Sequence, residues 1–166
     1  VMQGKQSQRQ NFIDKVKSIL IGLGMTEELS FSFTNTAMLD KMCVPADSEL
    51  RKAIPIMNPL TDDYPLVRTS LLTSIMENAV RNFSRKNTDI RLFDVAPVFY
   101  PKSLPMTELP NEVVKLAGLI TGRRYEAGWN QSNEMVDFYD MKGIVEELLN
   151  KLDISKYTVE AGEHFA

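Results

Sequence analysis

Cysteine and histidine are nearly missing from this 166-residue chain, which holds one of each, Cys43 and His164. A lone thiol forms no internal disulfide, so a reducing, cytoplasmic setting is expected. His164 has no nucleophile or orienting acid in register with it and reads as an exposed or strand-end residue rather than a catalytic base. Also absent is any apolar run approaching the roughly 20 residues that cross a bilayer, so no membrane contact is expected. The opening Val1-Met2-Gln3-Gly4-Lys5-Gln6-Ser7 has no apolar signal core and reads as a polar lead-in from something upstream. An excess of cations is missing too. The net charge is −3 and the pI near 5.3, whereas nonspecific nucleic-acid binding depends on neutralising phosphates. What remains is ordinary globular stuff: 43% hydrophobic and 25% charged residues, enough for one core. A single module over residues 1–166, without internal repeats or low-complexity segments, is the expectation.

Hydrophobic spacing predicts the elements. Phe12, Val16, Ile19, Leu20 and Leu23 recur at intervals of three and four, which predicts a helix over residues 7–23 stopped by Gly24. Leu29, Phe31 and Phe33 alternate with Ser30, Ser32 and Thr34, the period-two pattern of a half-buried strand. Residues 36–41 are ambiguous and fit a short helix, 44–51 read as connection, and 52–57 read as a strand placed at an edge or bulge by Pro55. Pro59 and Pro65 fix turns in an extended loop. Thr69 or Ser70 then caps a helix running to about residue 85. Its apolar positions, Leu71, Leu72, Ile75, Met76, Ala79, Val80 and Phe83, form a stripe broad enough for burial on more than one side. Strands are predicted over 90–99 and 113–120, separated by a proline-rich loop, and a helix capped by Asp137 runs to about Leu152. A further strand is predicted at 157–160, with no partner visible. This order makes an α+β domain with an antiparallel sheet.

Candidate chemistry outside that frame is sparse. Asp62 and Asp63 are adjacent, and Asp137 with Asp140 share a helix start, where carboxylates serve as caps and dipole partners. No histidine, cysteine or third carboxylate stands near them at ligand spacing, so no metal site is expected. Arg123-Arg124 followed by Tyr125 and Trp129 matches either a stacking and phosphate-contact loop for RNA or, in an acidic chain, a solvated loop. Cys43 is expected to pack as a small apolar residue.

Several strings then fall in one order: Gly22-Leu23-Gly24, Glu28-Leu29-Ser30-Phe31-Ser32-Phe33, Asn58-Pro59-Leu60, Arg68-Thr69-Ser70-Leu71-Leu72, Asn82, Leu92-Phe93-Asp94-Val95, Leu116-Ala117-Gly118 and Val136-Asp137-Phe138-Tyr139-Asp140-Met141-Lys142-Gly143. Together they resemble the catalytic-like module of bacterial phenylalanyl-tRNA synthetase β subunits over nearly the whole chain. The resemblance implies a class II aminoacyl-tRNA synthetase-like antiparallel sheet flanked by helices, in a piece of a much longer polypeptide truncated at its C-terminal side.

Working class II sites carry Phe-Arg-x-Glu on a strand, the Arg gripping the ATP α-phosphate in a bidentate fork. On the strand that looks equivalent, this chain reads Phe93-Asp94-Val95-Ala96, an acid where the clamp belongs and a methyl where the glutamate belongs. Family members often have Gly-Arg after the Asp-Val pair; Ala96-Pro97 stand here. The resemblance therefore implies a noncatalytic module, with no catalytic, cofactor-binding or metal-binding residue of its own, packed on the catalytic α subunit of an α2β2 phenylalanine-tRNA ligase. ATP, Mg²⁺, phenylalanine and tRNA(Phe) belong to that parent complex. The family's first motif joins a long helix to a strand and builds the subunit interface, and residues 64–85 look like that element. Leu72, Ile75, Met76 and Ala79 are then expected at helix contacts with the α subunit, and Arg68 at the start of the helix. Two alternatives are an active class II synthetase-like domain and a stand-alone tRNA-binding module. An exposed apolar helix face is also expected to let the isolated module self-associate.

Overall fold

The computed structural model describes residues 4–126 and 128–162; His164 lies outside them. Helix α1 (Gln8–Gly22) begins where the Ser7 hydroxyl accepts the Gln10 N–H at 3.2 Å. It ends at Gly24, whose φ of +82° suits a residue without a Cβ. Strand β1 (Thr26–Glu27) follows, then β2 (Phe33–Thr34), α2 (Thr36–Lys41), a 3₁₀ turn at Glu49–Arg51, and β3 (Leu66–Val67). Helix α3 (Leu72–Ser84) leads to two long strands, β4 (Ile90–Tyr100) and β5 (Asn111–Thr121), and α4 (Phe138–Lys151) closes the order. The ambiguous 36–41 segment is a helix because Asn35 caps it, accepting from Met38 N–H at 2.8 Å.

The main sheet has the order β1-β4-β5. β4 and β5 pair antiparallel along their full length, Ile90 facing Thr121 and Tyr100 facing Asn111. The antiparallel expectation needs one amendment, since β1 adds to β4 in parallel, Thr26 beside Leu92. β2 and β3 form a separate antiparallel pair, extended by a single bridge from Pro55 to Leu66. Pro97 interrupts nothing. The Phe99 N–H donates to the Arg68 carbonyl and the Phe93 carbonyl accepts from Glu28, so odd-numbered residues of β4 turn their backbone groups away from β5. The donor that Pro97 lacks is one β5 never uses.

The pleat of β4 divides the core. Phe93 and Val95 point to one face, where Val16 and Leu20 of α1, Met25, and Ile144 and Leu148 of α4 pack against them. Leu92, Ala96 and Val98 point to the other, under Leu71 and Ile75 at the start of α3, with Ala117 of β5. Each large apolar side chain fully buried this way, such as Phe93 or Ile75, contributes about 1.5–3 kcal/mol relative to exposure. The result is three layers: α1 and α4, the sheet, α3.

Two expectations are corrected. The predicted strand at 157–160 has no ladder partner among the described residues and stays irregular, as unpaired extended segments do in water. Cys43 is exposed rather than packed; it sits just past α2 with φ +54°, a left-handed position that terminates the helix and turns its side chain outward. The α3 stripe divides between the core and the surface. Ile75 and Ala79 are buried, while Met76, Val80 and Phe83 are 37%, 65% and 45% exposed.

Candidate interaction surface

Arg68, at the end of β3, holds the second face of the sheet together. It is 1% exposed. Its Nε donates to the Pro97 carbonyl at 3.0 Å and its Nη1 to the Ser30 hydroxyl at 2.6 Å and the Phe31 carbonyl at 3.2 Å. Asp94, 2% exposed on the α3 face of β4, lies 3.7 Å from Nη1. The Ser30 hydroxyl bridges the two charges, donating to Asp94 Oδ2 at 2.5 Å. Burial works against the Arg68 charge, and Asp94 and then Glu28 offset it. A second acid, Glu28, is buried beside this pair; its Oε2 accepts from Asn78 Nδ2 at 2.9 Å, and its Oε1 has no partner among the described residues. Burial pushes the Glu28 carboxyl above its ordinary value, with Asp94 adding to the rise.

That ion pair decides the polarity of residues 28–34. Glu28 and Thr34 are buried and Ser30 is drawn inward to Arg68 and Asp94, so the apolar members of the alternation must point out. Leu29 is 89% exposed and Phe31 79%. The period of two predicted for this segment is present, but its sides are exchanged. Ladder pairing covers only Phe33–Thr34, whereas Arg68 N–H donates to the Ser32 carbonyl at 3.0 Å.

The exposed side chains line neighbouring hollows that meet along α3 at the charged pair Glu77 and Arg81. A cleft of about 320 Å³ is walled by Phe31, Phe33, Ile56, Pro59, Leu60 and Tyr64. A neighbouring hollow of about 260 Å³ shares Phe31, Phe33 and Tyr64 and reaches Glu77 and Arg81 of α3. A third, about 450 Å³, runs between Met38 and Met42 near α2 and Met76 and Val80 of α3. Tyr64 is fixed against α3 by its hydroxyl, which donates to Glu77 Oε1 at 2.6 Å. A separate hollow of about 550 Å³ opens on the other side of the sheet, between α1, α4 and β5.

The residues expected at helix contacts separate on this surface. Met76 is exposed on it and Leu72 is half-buried, while Ile75 and Ala79 sit in the module's own core and Arg68 beneath the face. Thr69 does not cap α3, since its hydroxyl donates to the Leu50 carbonyl at 2.5 Å. Ser70 Oγ is the oxygen at the helix start, accepting from Leu72 N–H at 3.2 Å.

The frame Phe93-Asp94-Val95-Ala96 is not a place where ATP is met, because Asp94 is closed off with Arg68. A second frame, Phe99-Tyr100-Pro101-Lys102, begins at the end of the same strand and runs past it, and its first residue is also Phe. There Tyr100 stands where the clamp would be and packs against the cluster under α3. Neither frame supplies the Arg and Glu of a phosphate-gripping strand, and Arg68 is already committed.

The remaining candidates are satisfied internally. Arg123 pairs with Asp89 at 2.7 Å, and Arg124 with Asp140 at 2.9 Å and Glu134 at 2.7 Å. These bonds hold the Asp89 and Asp140 carboxyls below the usual range. Asp137 and Asp140 form a reciprocal capping box at α4. Trp129 is 98% exposed, but both arginines beside it are engaged. Among the described residues no group of three or more metal-ligating side chains converges.

The fold, a sheet with α1 and α4 on one face and α3 on the other, is shared with class II aminoacyl-tRNA synthetases. Two structures of pyrrolysyl-tRNA synthetase from Desulfitobacterium hafniense superpose with TM-scores of 0.66 and 0.63, each at 13% identity over 92% of this chain and 50% and 48% of theirs. Within that class the chain belongs to the phenylalanyl tRNA synthetase beta chain CLM domain family, whose model matches residues 1–166. It is 36% identical to the phenylalanine–tRNA ligase beta subunit of Geobacter sulfurreducens over 93% of its own length. It is 39% identical to that of Clostridium tetani over 89%. The chain spans 19% of the first of these proteins and 17% of the second.

Proposed function

We propose that this module is the noncatalytic, synthetase-shaped part of a phenylalanine–tRNA ligase β subunit, and that it serves as a docking partner of the catalytic α subunit in an α2β2 complex. The parent complex attaches phenylalanine to tRNA(Phe) in the cytoplasm with ATP and Mg²⁺; this module contributes shape rather than chemistry. The observation that carries the reading is the exchanged polarity of residues 28–34. Arg68 and Asp94 are closed off together in the interior, Leu29 and Phe31 turn to solvent, and Met76 and Val80 stand exposed across Glu77 and Arg81 of α3. Exposed apolar side chains clustered in this way mark a protein contact.

Met76, with Leu72 at its border, belongs to the proposed contact, and Ile75, Ala79 and Arg68 support it from beneath. Met76→Asp in the full-length β subunit is expected to abolish copurification with a tagged α subunit while leaving β folded, since an unpaired charge at a desolvated interface is costly. Copurification at wild-type yield would sink the reading.

A further inference from the structure

The cleft between Phe31 and Leu60 has a chemistry of its own, and the inference drawn from it rests on the docking role proposed above. Its walls are mostly aromatic and aliphatic, with Asn58, Thr61 and Asp63 as polar members. The Tyr64 hydroxyl, a polar group on the wall, is already bonded to Glu77. The cleft is also preformed. Ile56 N–H donates to the Pro65 carbonyl at 2.8 Å and Val67 N–H to the Ile54 carbonyl at 2.9 Å, which pins one wall to β3. Asn35 Nδ2 donates to the Asp63 carbonyl at 2.7 Å, which pins the rim to α2. A hydrogen-bonded, mostly apolar recess of about 320 Å³ has room for a bulky side chain and costs less ordering entropy to fill than an unformed one.

The rim supplies the second element. Asp63 lines the mouth, Asp62 is exposed next to it in the chain, and neither forms an ion pair among the described residues. Two free carboxylates beside exposed aromatic faces select for a cation, by Coulomb attraction and by contact with the ring faces. The geometry points to this cleft as the anchor pocket for a segment of the α subunit in which a bulky apolar side chain is flanked by lysine or arginine. The apolar side chain fills the recess between Phe31, Leu60 and Tyr64; the cation lies over the Asp62-Asp63 rim. Shape holds the complex together and charge brings it together.

These two parts separate kinetically. Association and dissociation of full-length α and β subunits are measured at several salt concentrations with β carrying Phe31→Ala, Leu60→Ala, the pair Asp62→Asn with Asp63→Asn, or Met76→Asp. All these side chains are exposed, and a thermal melt of each variant checks the fold. The cleft variants are expected to raise the dissociation rate about tenfold or more with little change in association. The rim variant is expected to lower the association rate roughly threefold to tenfold and to flatten its salt dependence. Wild-type rates in the cleft and rim variants, with assembly blocked by Met76→Asp, would overturn the anchor pocket and leave the docking role standing. Wild-type rates in every variant would overturn both. Self-association of β that Leu60→Ala abolishes while αβ rates stay unchanged would assign the cleft to a second copy and overturn the inference.

Discussion

Asp94 carries the largest consequence of any residue. As a sequence feature it is an acid in place of a phosphate-binding arginine; in the fold it is the counter-charge of Arg68, bridged by Ser30. Asp94→Ala leaves a guanidinium buried without a partner and is expected to cost about 3–5 kcal/mol of stability, read from urea unfolding. A destabilisation near zero would mean that Arg68 finds water. Glu28 behaves in the opposite sense to a paired surface acid. Its folded carboxyl is raised above the unfolded value of 4.5, so the native state holds the proton more tightly than the unfolded state. Stability from this group is therefore present below that value and lost as pH rises through the raised folded value. Glu28→Gln, which keeps the Asn78 contact and removes the charge, is expected to flatten the decline of stability with pH above 4.5; an unchanged profile would assign the slope elsewhere. Asp89 and Asp140, lowered by their arginine partners, contribute above 3.8 and lose their contribution as pH falls.

Helix α3 shows how one element serves two purposes. Its inner side closes the core with Ile75 against Val98 and Ala117, and its outer side presents Met76 and Val80. Substitution with aspartate is expected to separate the roles: Ile75→Asp buries an unpaired charge and costs roughly 3–5 kcal/mol, while Val80→Asp stays within about 0.5 kcal/mol in the isolated subunit. Equal melting temperatures for the two variants would refute this division. The helix was legible in the sequence because its periodicity is local, and so were α1 with Ser7 and Gly24 and α4 with its Asp137 cap. The division of its stripe into inner and outer members was less legible. Leu72, Ile75, Met76 and Ala79 read as equivalent contact residues until the position of β4 separates them.

At the scale of the molecule, a synthetase fold without a phosphate clamp is expected to activate nothing. Phenylalanine-dependent pyrophosphate exchange by the isolated module should stay at background, and activity above it would restore the reading of an active domain. Tight tRNA binding that weakens steeply with salt would instead favour a nucleic-acid module, against the net charge of −3 and the engagement of Arg123 and Arg124 with acids. What the sequence determined by itself were the features written within a few residues: helix periods, caps, turn glycines, the long β4 and β5 runs, and the absence of a cationic surface. Which side of residues 28–34 faces the core lay beyond its reach. An alternating strand fits either way until its partners are known, and the deciding groups, Arg68 and Asp94, stand 38 and 64 residues from Ser30. Only the tertiary structure brings them together. Three-way satisfaction of a buried charge outweighs the burial of Leu29 and Phe31, and the apolar side that the sequence assigned to the core becomes exposed surface.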